Sequence, residues 1–102
     1  MVKIIWTDSA LNSLDDIAEF IALDNSSAAS KLVCRVMSVV DRLQDFPESG
    51  RLIPEIADLP YKEIIVNPCR VLYRYDRKMQ TVFILAVIRQ EMDLLRYINQ
   101  GH

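Results

Sequence analysis

From Val2 to Trp6 the chain is largely apolar and rich in branched and aromatic side chains, which predicts a short strand. Thr7 can then cap a helix by accepting an amide hydrogen of its first turn, and Asp8 suits the positive end of the helix dipole. Ala10, Leu11, Leu14, Ile17, Ala18 and Ile21 recur every three or four positions, with Asn12, Asp15, Asp16 and Glu19 on the other side, so this helix is amphipathic. Asp24-Asn25-Ser26-Ser27 breaks the pattern and offers a second cap. Ala29, Leu32, Val33, Val36, Val40 and Leu43 then repeat the spacing, and the second helix is predicted to end near Phe46, because Pro47 disfavours helical backbone in the residue before it. A link this short between two amphipathic helices predicts an antiparallel hairpin.

From Pro47 to Pro60 the prolines predict an irregular connection. Three strand-like runs follow, Tyr61–Val66, Cys69–Asp76 and Thr81–Ile88, and the links between them are short enough for antiparallel hairpins. The third run is almost wholly apolar and is predicted to be central. Glu91 to Asn99 predicts a short last helix with Met92, Leu95 and Ile98 on its apolar side, and Gly101 marks its end. The expected class is α+β: an N-terminal strand, an antiparallel helical hairpin packed on a mainly antiparallel four-stranded sheet, and a short C-terminal helix. The hairpin's apolar stripes require one sheet face, at about 25 cal/mol per Å² of burial. The other face is expected to stay available.

A chain of 102 residues holds one domain, taken here as residues 1–102, with 51% apolar and 25% charged residues. Cys34 and Cys69 stand alone, the start lacks a leader-like apolar stretch, and no apolar run approaches a membrane span; a cytoplasmic protein without membrane association is expected. Two cysteines and one histidine, His102, do not make a zinc ligand set, and no metal or cofactor is expected. The net charge of −2 hides a split. Residues 1–60 carry five cations against ten acids, a net of −5, and residues 61–102 carry seven cations against four acids, a net of +3. This balance suits a protein partner with an acidic segment better than direct, specific binding to DNA by the chain alone.

Trp6-Thr7-Asp8-Ser9-Ala10-Leu11, Leu14-Asp15-Asp16-Ile17 with Phe20-Ile21, and Ala28-Ala29 resemble ParE toxins. Leu43-Gln44-Asp45-Phe46-Pro47-Glu48-Ser49-Gly50-Arg51 is similar to their L-x-x-F-P-x-x-G-R segment. Tyr61-Lys62-Glu63-Ile64-Ile65-Val66 and Cys69-Arg70-Val71-Leu72-Tyr73-Arg74 resemble their paired strands. The fragments run in order along nearly the whole chain. Two departures stand out: Cys69 replaces a usual aromatic residue, and Arg89 stands where histidine is common.

The resemblance implies the toxin of a type II toxin-antitoxin pair, of the ParE/RelE superfamily associated with plasmid stabilisation. ParE-like members inhibit DNA gyrase by protein contact and are silenced by a cognate antitoxin, with which the chain would serve as co-repressor of a shared operon. Target-binding residues would then be Arg51, Arg70, Arg74, Arg89 and Met92. RelE-like members are ribosome-dependent messenger RNA endonucleases, and that alternative draws on Lys62, Arg70, Arg89, Glu91 and Tyr97. Such cleavage needs a base, an acid and cations at phosphorus. Glu91, with an ordinary carboxylate pKa of about 4.3, would be a weak base, so the balance leans away from an enzyme. A third alternative is a non-toxic relic that only binds its antitoxin. An equally weighted reading of Arg70 makes it an ion-pair partner of Glu63 or Asp76, and the tyrosines read as core or groove lining.

Overall fold

The computed structural model describes residues 2–99, so Gly101 and His102 lie outside the described residues. Strand β1 (Lys3–Trp6) leads through Thr7 into helix α1 (Asp8–Ala22), where the Thr7 hydroxyl accepts the Ala10 amide as expected. Helix α2 (Ser26–Asp41) is capped in the same way by Asn25, whose side chain accepts the Ala28 amide. The α-helical part ends at Asp41, earlier than Phe46, and tightens into a 3₁₀ turn over Arg42–Gln44. The turn places Leu43 fully inside the core and lets the Gln44 carbonyl accept the Val2 amide beside β1.

The predicted irregular connection contains two short elements, strand β2 (Arg51–Leu52) and a 3₁₀ turn at Pro54–Ile56. Strands β3 (Lys62–Val66), β4 (Cys69–Asp76) and β5 (Thr81–Arg89) follow, and helix α3 (Leu94–Asn99) ends the described chain. The sheet order is β1-β5-β4-β3-β2, with β1 parallel to β5 and every other pair antiparallel. The sheet is therefore mixed and five-stranded. Its fifth member, β2, is two residues long and carries no period from which a strand could be read.

Helices α1 and α2 cover one face through Ala10, Leu14, Leu32, Val36 and Val40, packed on Val71, Tyr73, Val82, Ile84 and Val87. The pairing of β4 with β5 slips at Leu72/Tyr73: Tyr73 faces Ile84 and Leu72 faces Ala86, leaving Leu85 as an extra residue. The bulge reverses the parity of β5, so Val82, Ile84 and Val87 enter the helical core while Ala86 and Ile88 point to the opposite face.

That opposite face is not left open. Ile53, Leu72, Ala86, Ile88 and Leu94 form a second buried cluster, flanked by Ile56, Tyr61, Met92 and Tyr97. The proline-rich connection and the chain end therefore close over the sheet and remove its apolar centre from water.

Candidate functional site

The outer face of the sheet carries a row of alternating charges. Arg70 on β4 is only 5% exposed. Its Nε donates to Glu63 Oε1 at 2.7 Å, and its two terminal nitrogens donate to the two oxygens of Glu55, each at 2.8 Å. The far oxygen of Glu63 accepts from Arg51 Nε at 2.7 Å, so two arginines and two carboxylates join β2, β3, β4 and the 3₁₀ turn. Arg70 and Glu63 sit diagonally across the ladder, within reach of long side chains. Of the two ion-pair partners expected for Arg70, the structure has Glu63; Asp76 lies 3.6 Å from Arg74 instead. Paired guanidinium and carboxylate groups of this kind form strong, directional bonds.

The Glu55 carboxylate also accepts the Leu94 amide at 3.3 Å, and Arg70 reaches the Met92 carbonyl at 3.4 Å. The charged row thus ties the start of α3 to the sheet. Arg70 holds the Glu55 carboxyl down to about 2, and the paired carboxylates push the Arg70 guanidinium up. Because Glu55 has a lower pKa folded than unfolded, its stabilisation is complete above its ordinary value of 4.5 and is lost as pH falls toward 2. The stability gap between the natural chain and Glu55→Gln, read from urea unfolding, is expected to shrink over that window by on the order of 2 kcal/mol, solvent screening at the partly exposed carboxylate included.

A second feature lies where β5 ends. The Arg89 guanidinium stacks over the Phe20 ring of α1 at 5.2 Å and pairs with Glu91 at 3.0 Å. Beside it a cleft of about 250 Å³ runs between α1 and the chain end, walled by Ser13, Ile17, Val87, Met92 and Tyr97. The Glu91 carboxyl is held below its ordinary value by its own backbone amide and then by Arg89. A carboxylate that binds protons so weakly is a poor general base at neutral pH.

The structure distributes the sequence-predicted residues over three places. Arg51, Arg70 and Arg74 lie on the outer face, with the Arg74 guanidinium 4.8 Å above the Phe83 ring. Arg89 belongs to the helix-bearing side, where Phe20 meets it, and Met92 and Tyr97 border both the cleft and the outer cluster. Lys62 lies at the other end of β4, opposite Tyr73, and donates to the Gly50 carbonyl at 3.5 Å. Lys62 and Arg89 are therefore separated by four β4 residues, roughly 13 Å along the strand, and by two strand widths. Glu55 and Phe20 escaped sequence reading: Glu55 sits 15 positions from Arg70 within the proline-rich segment, and Phe20 reads as one more apolar residue of α1. Among the described residues no group of three or more His, Cys, Asp or Glu could hold a metal ion, and no helix is long and apolar enough to cross a membrane.

Comparison with known proteins adds relatives to this geometry. The family described as "ParE toxin of type II toxin-antitoxin system, parDE" matches residues 4–94. The Sinorhizobium fredii protein Y4kP is 32% identical over 90 residues, 86% of this chain and 91% of that protein. Toxin RelE2 of Caulobacter vibrioides is 32% identical over 75 residues, 74% of this chain and 81% of that protein. A chain of the chromosomal ParDE system from P. aeruginosa shares the fold with a TM-score of 0.70 and 24% identity, covering 89% of this chain and 98% of that one. The isolated E. coli RelE toxin shares it with a TM-score of 0.55 and 14% identity, over 99% of this chain and 97% of that one.

Proposed function

Because the chain belongs to the ParE toxin family of type II toxin-antitoxin systems, we propose that it acts by contact, inhibiting DNA gyrase, and that a cognate antitoxin silences it. The observation that carries this reading is the sequestration of Arg70. A phosphate-binding arginine must offer its guanidinium to substrate, whereas here two carboxylates already occupy it inside the fold. Taking a phosphate at that position would strip a buried cation from Glu63, whose side chain is itself fully buried. The other members of a nuclease set are dispersed as well, with Lys62 remote from Arg89 and Glu91 unsuited to accept a proton.

A contact mechanism needs only a surface. Arg51, Arg74 and Arg89 keep side-chain exposures of 64%, 38% and 46%, and arginine is enriched among residues that dominate binding energies. Met92 and Arg70 serve that surface from beneath, Met92 as a wall of the cleft and Arg70 by fixing its backbone. The antitoxin reading draws on the solved P. aeruginosa ParDE and M. tuberculosis RelBE2 complexes, whose toxins have this fold.

The likeness to toxin RelE2 favours ribosome-dependent cleavage of messenger RNA as the second reading. One experiment separates the two. The purified chain is incubated with gyrase and plasmid, and in parallel with ribosomes programmed with a defined transcript. Loss of supercoiling with accumulation of cleaved plasmid is the expected result. Transcript cleavage at a fixed codon position with supercoiling untouched overturns it, and inertness in both arms identifies a relic.

A further inference from the structure

Strand β1 forms one edge of the sheet. It pairs with β5 alone, and its side chains stay half-buried or exposed, whereas the first residues of β4 are fully buried. The Lys3 amide donates to the Gln80 carbonyl at 2.9 Å and the Thr7 amide to the Ile84 carbonyl at 3.1 Å, so the odd-numbered residues turn their backbone groups toward β5. Ile4 and Trp6 therefore turn theirs outward, where no described residue bonds them. Just before this stretch the edge is closed, because the Val2 amide donates to the Gln44 carbonyl at 3.1 Å. Just after it the chain leaves the sheet for α1 at Asp8.

The open stretch is complementary to a second copy of itself. Two copies run antiparallel about a twofold axis through Ile5 match residue for residue. Ile4 of each copy faces Trp6 of the other, and each such pair exchanges N–H and C=O in both directions, so every outward donor and acceptor finds a partner. Val2, already bonded to Gln44, faces the point where the other chain turns into its helix, and neither is asked for a further bond. The side chains agree with the backbone. Ile4 and Trp6 both pack on the helical core, and an aromatic ring beside a branched side chain is a favourable cross-strand pair. Ile5 alternates to the outer side and meets its own copy on the axis, in a close position without hydrogen bonds.

Charge selects the antiparallel sense. From Val2 to Ala10 the only charged residues are Lys3 and Asp8, of opposite sign and at opposite ends of β1. Neither takes part in an ion pair among the described residues. Antiparallel pairing sets Lys3 opposite Thr7 of the other copy and next to its Asp8, once on each side of the axis. An in-register parallel pairing would set lysine against lysine, which is unfavourable.

We propose that the chain self-associates through the outer edge of β1, joining two five-stranded sheets into one across a twofold axis at Ile5. The axis stands perpendicular to the sheet, so both helical hairpins fall on the same side. The proposal is independent of whether gyrase or the ribosome is the target.

The test uses the whole chain without its antitoxin. Sedimentation is expected to show a monomer passing to a dimer as concentration rises, and amide exchange at Ile4 and Trp6 is expected to slow over the same range, while Lys3, Ile5 and Thr7 stay protected throughout. Lys3→Asp is expected to weaken association about tenfold, and adding Asp8→Lys to restore it, because the swap returns opposite charges to each pair. A covalent arm fixes the register in a Cys34→Ser background, which removes the exposed native thiol. Ile5→Cys is expected to close a disulfide to its own copy under oxidised glutathione, since facing residues at such a position lie within bridging distance. Lys3→Cys, more exposed but about 13 Å from its copy in this register, is expected to stay unbridged. A monomer at every concentration, exchange at Ile4 and Trp6 that ignores concentration, a charge swap that fails to restore association, or bridging of Lys3→Cys as readily as Ile5→Cys each overturns the proposal.

Discussion

Arg70→Ala is expected to lower the unfolding free energy by about 3 to 5 kcal/mol, because removing one member of a buried ion pair strands the charge of the other. The stranded group is Glu63, whose side chain has no exposure and keeps only Arg51, a largely exposed partner. Glu55 would lose both of its guanidinium bonds at once and with them much of its hold on the start of α3. A domain of this size is stable by roughly 5 to 15 kcal/mol, so the loss is a large part of the total. Urea unfolding followed by circular dichroism measures it. The double variant Arg70→Met with Glu63→Leu removes both charges and replaces them with apolar volume, and it is expected to recover most of the loss. If Arg70→Ala unfolds at the same urea concentration as the natural chain, the charged row does not hold the sheet. The comparison also bears on function: loss of toxicity in Arg70→Ala alone reports unfolding, whereas loss in the stable double variant would report a role for the guanidinium itself.

The two helices and strands β4 and β5 were legible because each imposes a period on long runs of residues. Leu14, Ile17 and Ile21 mark a face of α1, and Cys69, Val71 and Tyr73 mark a face of β4. The closure of the outer face was not legible, since it is assembled from Ile53, Leu72, Ala86, Ile88 and Leu94, which share no period and come from four separate elements or loops. The bulge at Leu85 hid part of it as well: a continuous apolar run looks the same whether or not its parity switches midway. At the candidate site, Glu63 could be named as a partner of Arg70 because a hairpin brings them together. Glu55 could not, because its approach depends on how the proline-rich segment folds over the sheet. The dispersal of Lys62 and Arg89 needed the strand register, which one sequence does not supply.

Gly50→Ala is expected to be the next most damaging small change, although a methyl group at an ordinary loop position would cost little. An added Cβ would sit 2.6 Å from the Tyr73 hydroxyl, 2.7 Å from its ring and 2.8 Å from the Glu63 carbonyl. None of these atoms can yield cheaply. Tyr73 is fully buried in the helical core, and the Glu63 carbonyl belongs to the ladder between β2 and β3. Relief therefore means moving the Gly50 backbone outward, which breaks the 2.9 Å bond from its amide to the Tyr73 hydroxyl and draws Arg51 away from Glu63. Overpacking of this kind costs about 1 to 3 kcal/mol, and the lost hydrogen bond adds about 1. Tyr73→Phe isolates the second contribution, since it removes the hydroxyl and leaves the glycine. The combined variant Gly50→Ala with Tyr73→Phe is then expected to be less destabilised than the two single losses added together, because the phenylalanine removes the nearest clashing atom. Strict additivity in urea unfolding would mean that the Tyr73 hydroxyl has no part in the Gly50→Ala loss, which then falls to the Tyr73 ring and the Glu63 carbonyl.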